Sequence, residues 1–469
     1  MRTPAAGRAV LAGPAAGGAP LATRTAPASR SVAAHAAVRC AGVGSSVPPA
    51  VLTNDDLAAL GLDTNDAWIA QRTGIRCAPP AVASTGVEGG GGLGEGRGGR
   101  PGARATARRA RDLAAGGRAA GPRPRPHRTP ACGRGLAGGR TARGERQLPP
   151  KRGRGARPTA TANEPRAGSR PPVPPPPPSQ RHILASGESL SQHASAAAAA
   201  ALAMAGVAAA DVDMVVLATS SPDDLFGSAC EVAATLGATS AVAFDLTAAC
   251  SGFVVGLITG SQFIKTGAAR TVLVVGADAL SRYVDWRDRG TCILFGDGAG
   301  AVVLTVAADA NAPCALLGAS MGSDGAGAKH LNARFACDGG KATGAEPSAR
   351  GAYANIAMNG QEVFKFAVRA VPNVLEAALK DAGLTPSSID WLVLHQANQR
   401  ILDAAATRLG VPADRVVSNL ARYGNTSAAS IPLALDEAVR GGRIKAGDTV
   451  ALAGFGAGLT FAGALVRWG

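Results

Sequence analysis

Two stretches of the chain repeat one another. AGVAAADVDMVVLATSS at 205–221 and AGLTPSSIDWLVLHQAN at 382–398, offset by 177 residues, share one order of features: an Ala-Gly helix end, a short polar loop, an acidic residue, then an apolar strand. Each follows an alanine- and leucine-rich helical pattern. A supersecondary unit present twice buries its apolar face against its copy. Further apolar runs, TVLVVGADAL (271–280), AVVLTVAA (301–308), TVALAGFGAG (449–458) and TFAGALVRW (460–468), supply strands of the kind covered by helices on both faces. The pattern predicts an α/β chain built of duplicated, layered sheets.

Two segments stand outside that scheme. Residues 1–39 hold 5 Arg and no acidic residue and are rich in Ala, Ser and Thr, the composition of an organelle transit peptide without the compact apolar centre of a secretory signal. Residues 78–180 carry 20 Lys/Arg against 5 Asp/Glu, and from Ala81 to Gln180 there is no Phe, Trp, Tyr, Ile or Met. A segment of this composition cannot bury enough apolar surface to offset its ordering entropy, so disorder is expected for both appendages. Gly, Pro and Ala codons, and the CGN codons of Arg, have only G and C in their first two positions, and PPVPPPPP just before the return matches a translated pyrimidine tract. The insertion therefore reads as a retained intron or mispredicted exon. GRGLAGGR and KRGRGAR would alternatively form an RNA-binding arm, but aromatic residues to stack on bases are missing.

Without these appendages the chain is mildly acidic, so its formal charge of +15 gives no reason to expect nucleic acid on the folded part. The 8 cysteines form no CxxC pair and no ligand spacing with histidine, which argues against a zinc site or a disulfide framework. No window has the length and flanks of a transmembrane helix, and neither a metal nor a membrane partner is expected.

Within AFDLTAACSGFVVGLITG (243–260), Ala243–Leu246 reads as a buried strand and the run from Phe253 as a buried helix, which sets Cys250 at the turn between them. Unpaired N–H groups at a helix start favour a thiolate and can hold a negatively charged oxygen. WLVLHQANQR (391–400) carries an apolar strand straight into His395, Gln396 and Asn398, and SNLARYGNTSAASIPLAL (418–435) sets Asn425 just before a small-residue helix. Taken singly, the cysteine suits a core, the histidine a satisfied structural position and the asparagine a turn or cap. Together they terminate three buried elements and can converge in a cleft at one edge of the sheets.

TAACSGF, LHQANQRI, YGNTSAASIP, GFGAGLT, LFGDGAGA (294–301) and DAWIAQRTGIR (66–76) resemble, in the right order, condensing enzymes of the thiolase superfamily, in particular the β-ketoacyl-[acyl-carrier-protein] synthase III family. The likeness covers 40–77 and 181–469, and joining its two parts gives RTGIRCRHILASGE, similar to an uninterrupted family sequence. It implies a thiolase-like α-β-α-β-α fold with an N-terminal half over 40–77 and 181–310 and a C-terminal half over 311–469. An asparagine in YGNTSAAS, rather than a second histidine or cysteine, distinguishes this family from related condensing enzymes.

The resemblance implies decarboxylative condensation of acetyl-coenzyme A with malonyl-[acyl-carrier-protein], without a cofactor. Cys250 would be the nucleophile, His395 and Asn425 would assist decarboxylation, and the amides of Cys250 and Ala457 would form an oxyanion hole. Glycine is common in the family where Ala457 stands. Trp68, Arg72, Arg289 and Asn398 would bind coenzyme A, and Phe226, Phe295 and Phe364 would line the acyl pocket, Phe226 from across a homodimer interface. Lys365, Gln396, Ala397, Asn398, Gln399 and Arg400 would meet the carrier protein. GFGAGLT with a C-terminal VRWG resembles the plant and algal form, which implies the plastid. The rival readings are a polyketide-type condensing enzyme using coenzyme A esters throughout, and an RNA-associated protein acting through the basic arm.

Overall fold

The computed structural model describes residues 37–73, 180–307, 315–337 and 351–469. The leader up to residue 36 and the insertion up to residue 179 lie outside the described residues.

Two five-stranded sheets organise the molecule. The first contains β1 (Val38–Ser46), β2 (Met214–Ala218), β3 (Val242–Leu246), β4 (Thr271–Ala279) and β5 (Asp297–Val306), in the order β1-β5-β4-β2-β3. The second contains β6 (Leu316–Ser323), β7 (Trp391–Leu394), β8 (Val416–Val417), β9 (Thr449–Gly456) and β10 (Thr460–Arg467). Its order, β6-β10-β9-β7-β8, is that of the first sheet repeated. Pairing repeats as well: β2 is parallel to β3 and β4, and β7 is parallel to β8 and β9, while β5 and β10 run antiparallel to both their neighbours. The duplication legible in the sequence is thus the duplication of the fold.

Helices complete five layers. Those of eight residues or more are α1 (Asp66–Thr73), α2 (Leu190–Ala205), α3 (Ala229–Leu236), α4 (Gly252–Lys265), α5 (Gly360–Asp381), α6 (Gln399–Leu409) and α7 (Ser430–Arg440). α2 begins at a Ser189/Gln192 capping box and stops at Gly206, whose φ of 64° costs a glycine little. α4 and α7 lie between the sheets: Phe253, Val254, Leu257, Ile431 and Leu435 pack with Val216, Val272 and Val274 on one side and Leu452, Ala462 and Ala464 on the other. Burying one such large side chain stabilises the fold by roughly 1.5–3 kcal/mol. α2 and α3 cover the outer face of the first sheet, and α5 and α6 that of the second.

Three of the sequence-based expectations need correction. β1 begins inside the stretch assigned to the leader, since Val38 and Arg39 pair with Val306 and Thr305. Gln180, assigned to the insertion, pairs with Thr53 in a short ladder between Val51–Thr53 and Gln180–His182. The strand expected to be buried, β3, is only partly covered, because it forms an edge of its sheet and Val242 is 60% exposed.

Candidate functional site

Cys250 lies in a 3-10 turn, Ala249–Ser251, that joins β3 to the central helix α4. Ala249 adopts φ 45°, a strained value for a residue with a Cβ. β9 backs the turn so closely that a Cβ on Gly456 would stand 2.6 Å from the Cys250 amide nitrogen, and one on Gly454 2.8 Å from its carbonyl oxygen. Only glycine allows that approach. Thr460 on β10 fastens the turn from the side, donating to Ala248 O at 2.9 Å and accepting from Ser251 Oγ at 2.8 Å.

A second 3-10 turn, Ser427–Ala429, precedes α7 and meets the first. Ser427 Oγ donates to Cys250 Sγ at 3.2 Å. The Ser427 amide donates to Asn425 Oδ1 at 2.9 Å, which orients the carboxamide, and its NH2 has no acceptor among the described residues. Asn425 itself is pinned through its backbone, donating to Leu294 O at 2.8 Å and accepting from Gly296 N at 3.0 Å, on either side of Phe295. His395 leaves the end of β7 with its amide bonded to Ala453 O on β9 at 2.8 Å and its ring 5.3 Å from that of Phe455. Its Nδ1 lies 2.7 Å from Ser430 Oγ, which is also 2.8 Å from Ser427 O. The segments bearing Cys250, His395 and Asn425 are therefore joined through β9 and the Ser427 turn.

All three side chains are buried. Burial pushes the Cys250 thiol up to about 12; the Ser427 hydrogen bond acts against this, and the Asp278 carboxylate adds to it. Burial holds the His395 imidazolium down to about 3. Burial thus disfavours the charged form of both groups and opposes the thiolate that a helix start favours. Outside helix and strand pairing, the Cys250 and Ala457 amides donate to no backbone acceptor among the described residues.

Other expected residues divide. Trp68 on α1 lies beneath two guanidinium groups, Arg72 at 4.9 Å and Arg289 at 4.7 Å from its ring centroid, and Arg289 also pairs with Asp63 at 2.8 Å. Asn398 caps α6 by accepting from Arg400 N at 3.0 Å and donates to Arg72 O at 2.8 Å. It thereby ties the α1 helix to the second half, with one N–H and one oxygen lone pair engaged. Phe295 is buried beside Asn425, whereas Phe364 lies under the Arg400 guanidinium at 4.8 Å, between α5 and α6. Phe226 projects outward, 95% exposed, beside Leu225.

Of the expected carrier-docking set, Gln396 is misassigned. It is fully buried, donates to Leu394 O and Val417 O at 2.7 and 3.2 Å, and accepts from Asn419 N at 3.1 Å, so it braces β7 and cannot meet a partner. Ala397 is half-buried against the α5–α6 core, and Gln399 bonds Asp403 and Ser418. Lys365, paired with Glu362 at 2.8 Å, and Arg400 remain as outward charges.

Ser427, Ser430 and Asp278 were not singled out by the sequence. Asp278 had a signal: it is the one carboxylate in the apolar run TVLVVGADAL, and it is fully buried. Among the described residues no group of three or more His, Cys, Asp or Glu could hold a metal ion, and no helix is long and apolar enough to cross a membrane.

Comparison with known proteins gives a consistent result. Residues 244–325 match the family 3-oxoacyl-[acyl-carrier-protein] synthase III, and residues 379–468 match its C-terminal family. The chain is 58% identical over 282 residues to β-ketoacyl-[acyl-carrier-protein] synthase III of Synechococcus elongatus, covering 60% of this chain and 83% of that one. It is 57% identical over 297 residues to a chloroplastic synthase III B of Cuphea wrightii, covering 62% and 73%. The crystal structure of the Pseudomonas aeruginosa synthase III superposes with a TM-score of 0.64 at 35% identity, covering 92% of this chain and 98% of that one.

Proposed function

The chain belongs to the β-ketoacyl-[acyl-carrier-protein] synthase III family of thiolase-like condensing enzymes, and we propose that Cys250, His395 and Asn425 carry that family's reaction in it. The enzyme is an acyltransferase that condenses acetyl-coenzyme A with malonyl-carrier protein to give acetoacetyl-carrier protein, coenzyme A and carbon dioxide. The observation that supports the assignment of roles is the junction of the Cys250 and Ser427 turns, with Asn425 locked by the second turn and His395 bonded through Ser430 to the same turn.

In the first half-reaction the Cys250 sulfur attacks the acetyl thioester carbonyl. Its S–H bond breaks, the S–C bond forms, and the coenzyme A sulfur leaves with a proton. The Cys250 and Ala457 amides hold the intermediate oxyanion. In the second, the malonyl carboxylate departs as carbon dioxide, and its electron pair forms an enolate on the thioester. For this step the Ser430 hydroxyl turns from Ser427 O to Nδ1, so that His395 carries its proton on Nε2 and donates with the Asn425 NH2 to the enolate oxygen. The enolate carbon attacks acetyl-Cys250, the S–C bond breaks, and Cys250 regains a proton from solvent.

In our reading Trp68, Arg72 and Arg289 hold the nucleotide end of coenzyme A, and Lys365 and Arg400 meet the acidic carrier. The molecule acts as a homodimer across the β3 edge, with Phe226 entering the partner; the exposure of Phe226, Leu225 and Val242 supports this. The acid-free leader and the chloroplastic name of the Cuphea relative support residence in a plastid. Release of carbon dioxide from malonyl-carrier protein, required to depend on acetyl-coenzyme A, tests the assignment. Equal turnover with malonyl-coenzyme A would favour the polyketide-type alternative instead.

A further inference from the structure

We propose that Ser427 is a further catalytic residue of the acyl-transfer step: its hydroxyl donates a hydrogen bond to the Cys250 sulfur as that sulfur becomes negative, and the buried Asp278 side chain fixes the Ser427 turn. This rests on the nucleophile assignment above and adds a group that acts on the nucleophile directly.

Ser427 Oγ is the hydrogen-bond partner of Cys250 Sγ among the described residues, at 3.2 Å. The serine is held from several sides, through its amide to Asn425 Oδ1, through its carbonyl from Ser430 Oγ, and through the next amide, Ala428 N, to Asp278 Oδ2 at 3.1 Å. It sits at φ 52°, where glycine would be easier. A side chain kept at a strained position beside a nucleophile points to a use for that side chain.

Asp278, at the end of β4, also accepts from Ser220 N and Ser221 Oγ, both at 2.8 Å, and from Thr219 Oγ1 at 3.3 Å. One carboxylate therefore binds the loop after β2 to the Ser427 turn of the opposite half. The titratable groups that face Cys250 are Asp278 from the first half and His395 from the second. β9 presents glycine backbone there, β10 presents Thr460, and α4 starts with Gly252 and Phe253. Burial disfavours the charged form of both, holding the His395 imidazolium down and pushing the Asp278 carboxyl up. Ser427 keeps its own proton throughout; the thiol proton leaves on the coenzyme A sulfur.

The test is the rate of iodoacetamide alkylation of Cys250 in the full chain between pH 7 and 9, read at the Cys250 peptide by mass spectrometry. Wild type is compared with Ser427→Ala, Ser427→Gly and Asp278→Asn; glycine accepts the positive φ, so it removes the hydroxyl without backbone strain. Loss of a hydrogen bond to the thiolate should slow alkylation about tenfold in both serine variants, whereas Asp278→Asn, which keeps the hydroxyl, should alkylate at the wild-type rate or faster. A merely structural role would loosen the turn and speed alkylation in all three. Serine variants that alkylate as fast as wild type or faster, or an Asp278→Asn protein that alkylates more slowly, would overturn the proposal. A wild-type protein that takes no acetyl group on Cys250 would instead sink the functional reading, so the two failures are separable.

Discussion

Ala249 and Ser427 are the two non-glycine residues with positive φ among the described residues, at 45° and 52°, and each opens the 3-10 turn before a central helix. They occupy matching places in the two halves. Their turns face one another, which is how Ser427 reaches the Cys250 sulfur. The site is thus made from one local device used twice: the first copy supplies the nucleophile, and the second supplies Asn425 and the serine beside the sulfur. Strain of this kind persists where surrounding contacts over-determine it, and here β9, Thr460 and Asp278 provide those contacts.

The close approach of β9 predicts the effect of adding a methyl group. Gly456→Ala places a Cβ 2.6 Å from the Cys250 amide, so the nucleophile turn must move. Overpacking should cost about 1–3 kcal/mol in stability and displacement of the sulfur about a hundredfold in acetyl uptake. Thermal unfolding together with single-turnover acetylation checks this; normal uptake would mean that the turn yields without consequence.

Asn425→Ala removes the amide donor and the acceptor for Ser427 N. Condensation should fall by about 10²–10³-fold while Cys250 still takes up acetyl. Rates of carbon dioxide release and of acetyl-enzyme formation, measured on one preparation, separate the two steps. A variant that condenses at the wild-type rate would remove Asn425 from the decarboxylation step.

Gln396→Ala distinguishes a brace from a docking residue. Its amide makes three buried hydrogen bonds, so its loss should destabilise the fold by about 1–3 kcal/mol and leave the salt dependence of carrier binding unchanged. Lys365→Ala should do the reverse, weakening carrier association at low salt with little change in stability. Denaturant unfolding and carrier titration at two ionic strengths read both effects.

His395 makes the fold acid-sensitive with a definite sign. Its ordinary value is 6.5, and burial holds it at about 3 in the folded protein. Below 6.5 the unfolded chain binds a proton that the folded state refuses, so this contribution is complete above 6.5 and erodes as pH falls toward 3. His395→Gln should reduce the slope of unfolding free energy against pH in that window by about one proton. An unchanged slope would mean that His395 protonates freely in the folded state.

The sequence revealed the fold better than the finer site. Periodicity and the repeated Ala-Gly, acid and strand order were enough to predict two matching sheets, because buried elements write their environment into apolar runs. β3 was misjudged because an edge strand and a central strand read alike over five residues. Gln396 was misplaced because a polar residue just past a strand gives no local sign of whether its amide turns inward to Leu394 O and Val417 O. Ser427 was hidden for a different reason: its closeness to Cys250 depends on how the halves face each other, which neither turn encodes by itself.

The central claim is that Cys250 carries the acyl group between the two half-reactions. Mass spectrometry of the purified protein after incubation with acetyl-coenzyme A, followed by peptide mapping, tests it most directly. The account predicts a single acetyl group on the Cys250 peptide that disappears when malonyl-carrier protein is added and is absent from Cys250→Ala. Turnover without any adduct on that peptide, or acetylation that persists in Cys250→Ala, would contradict it.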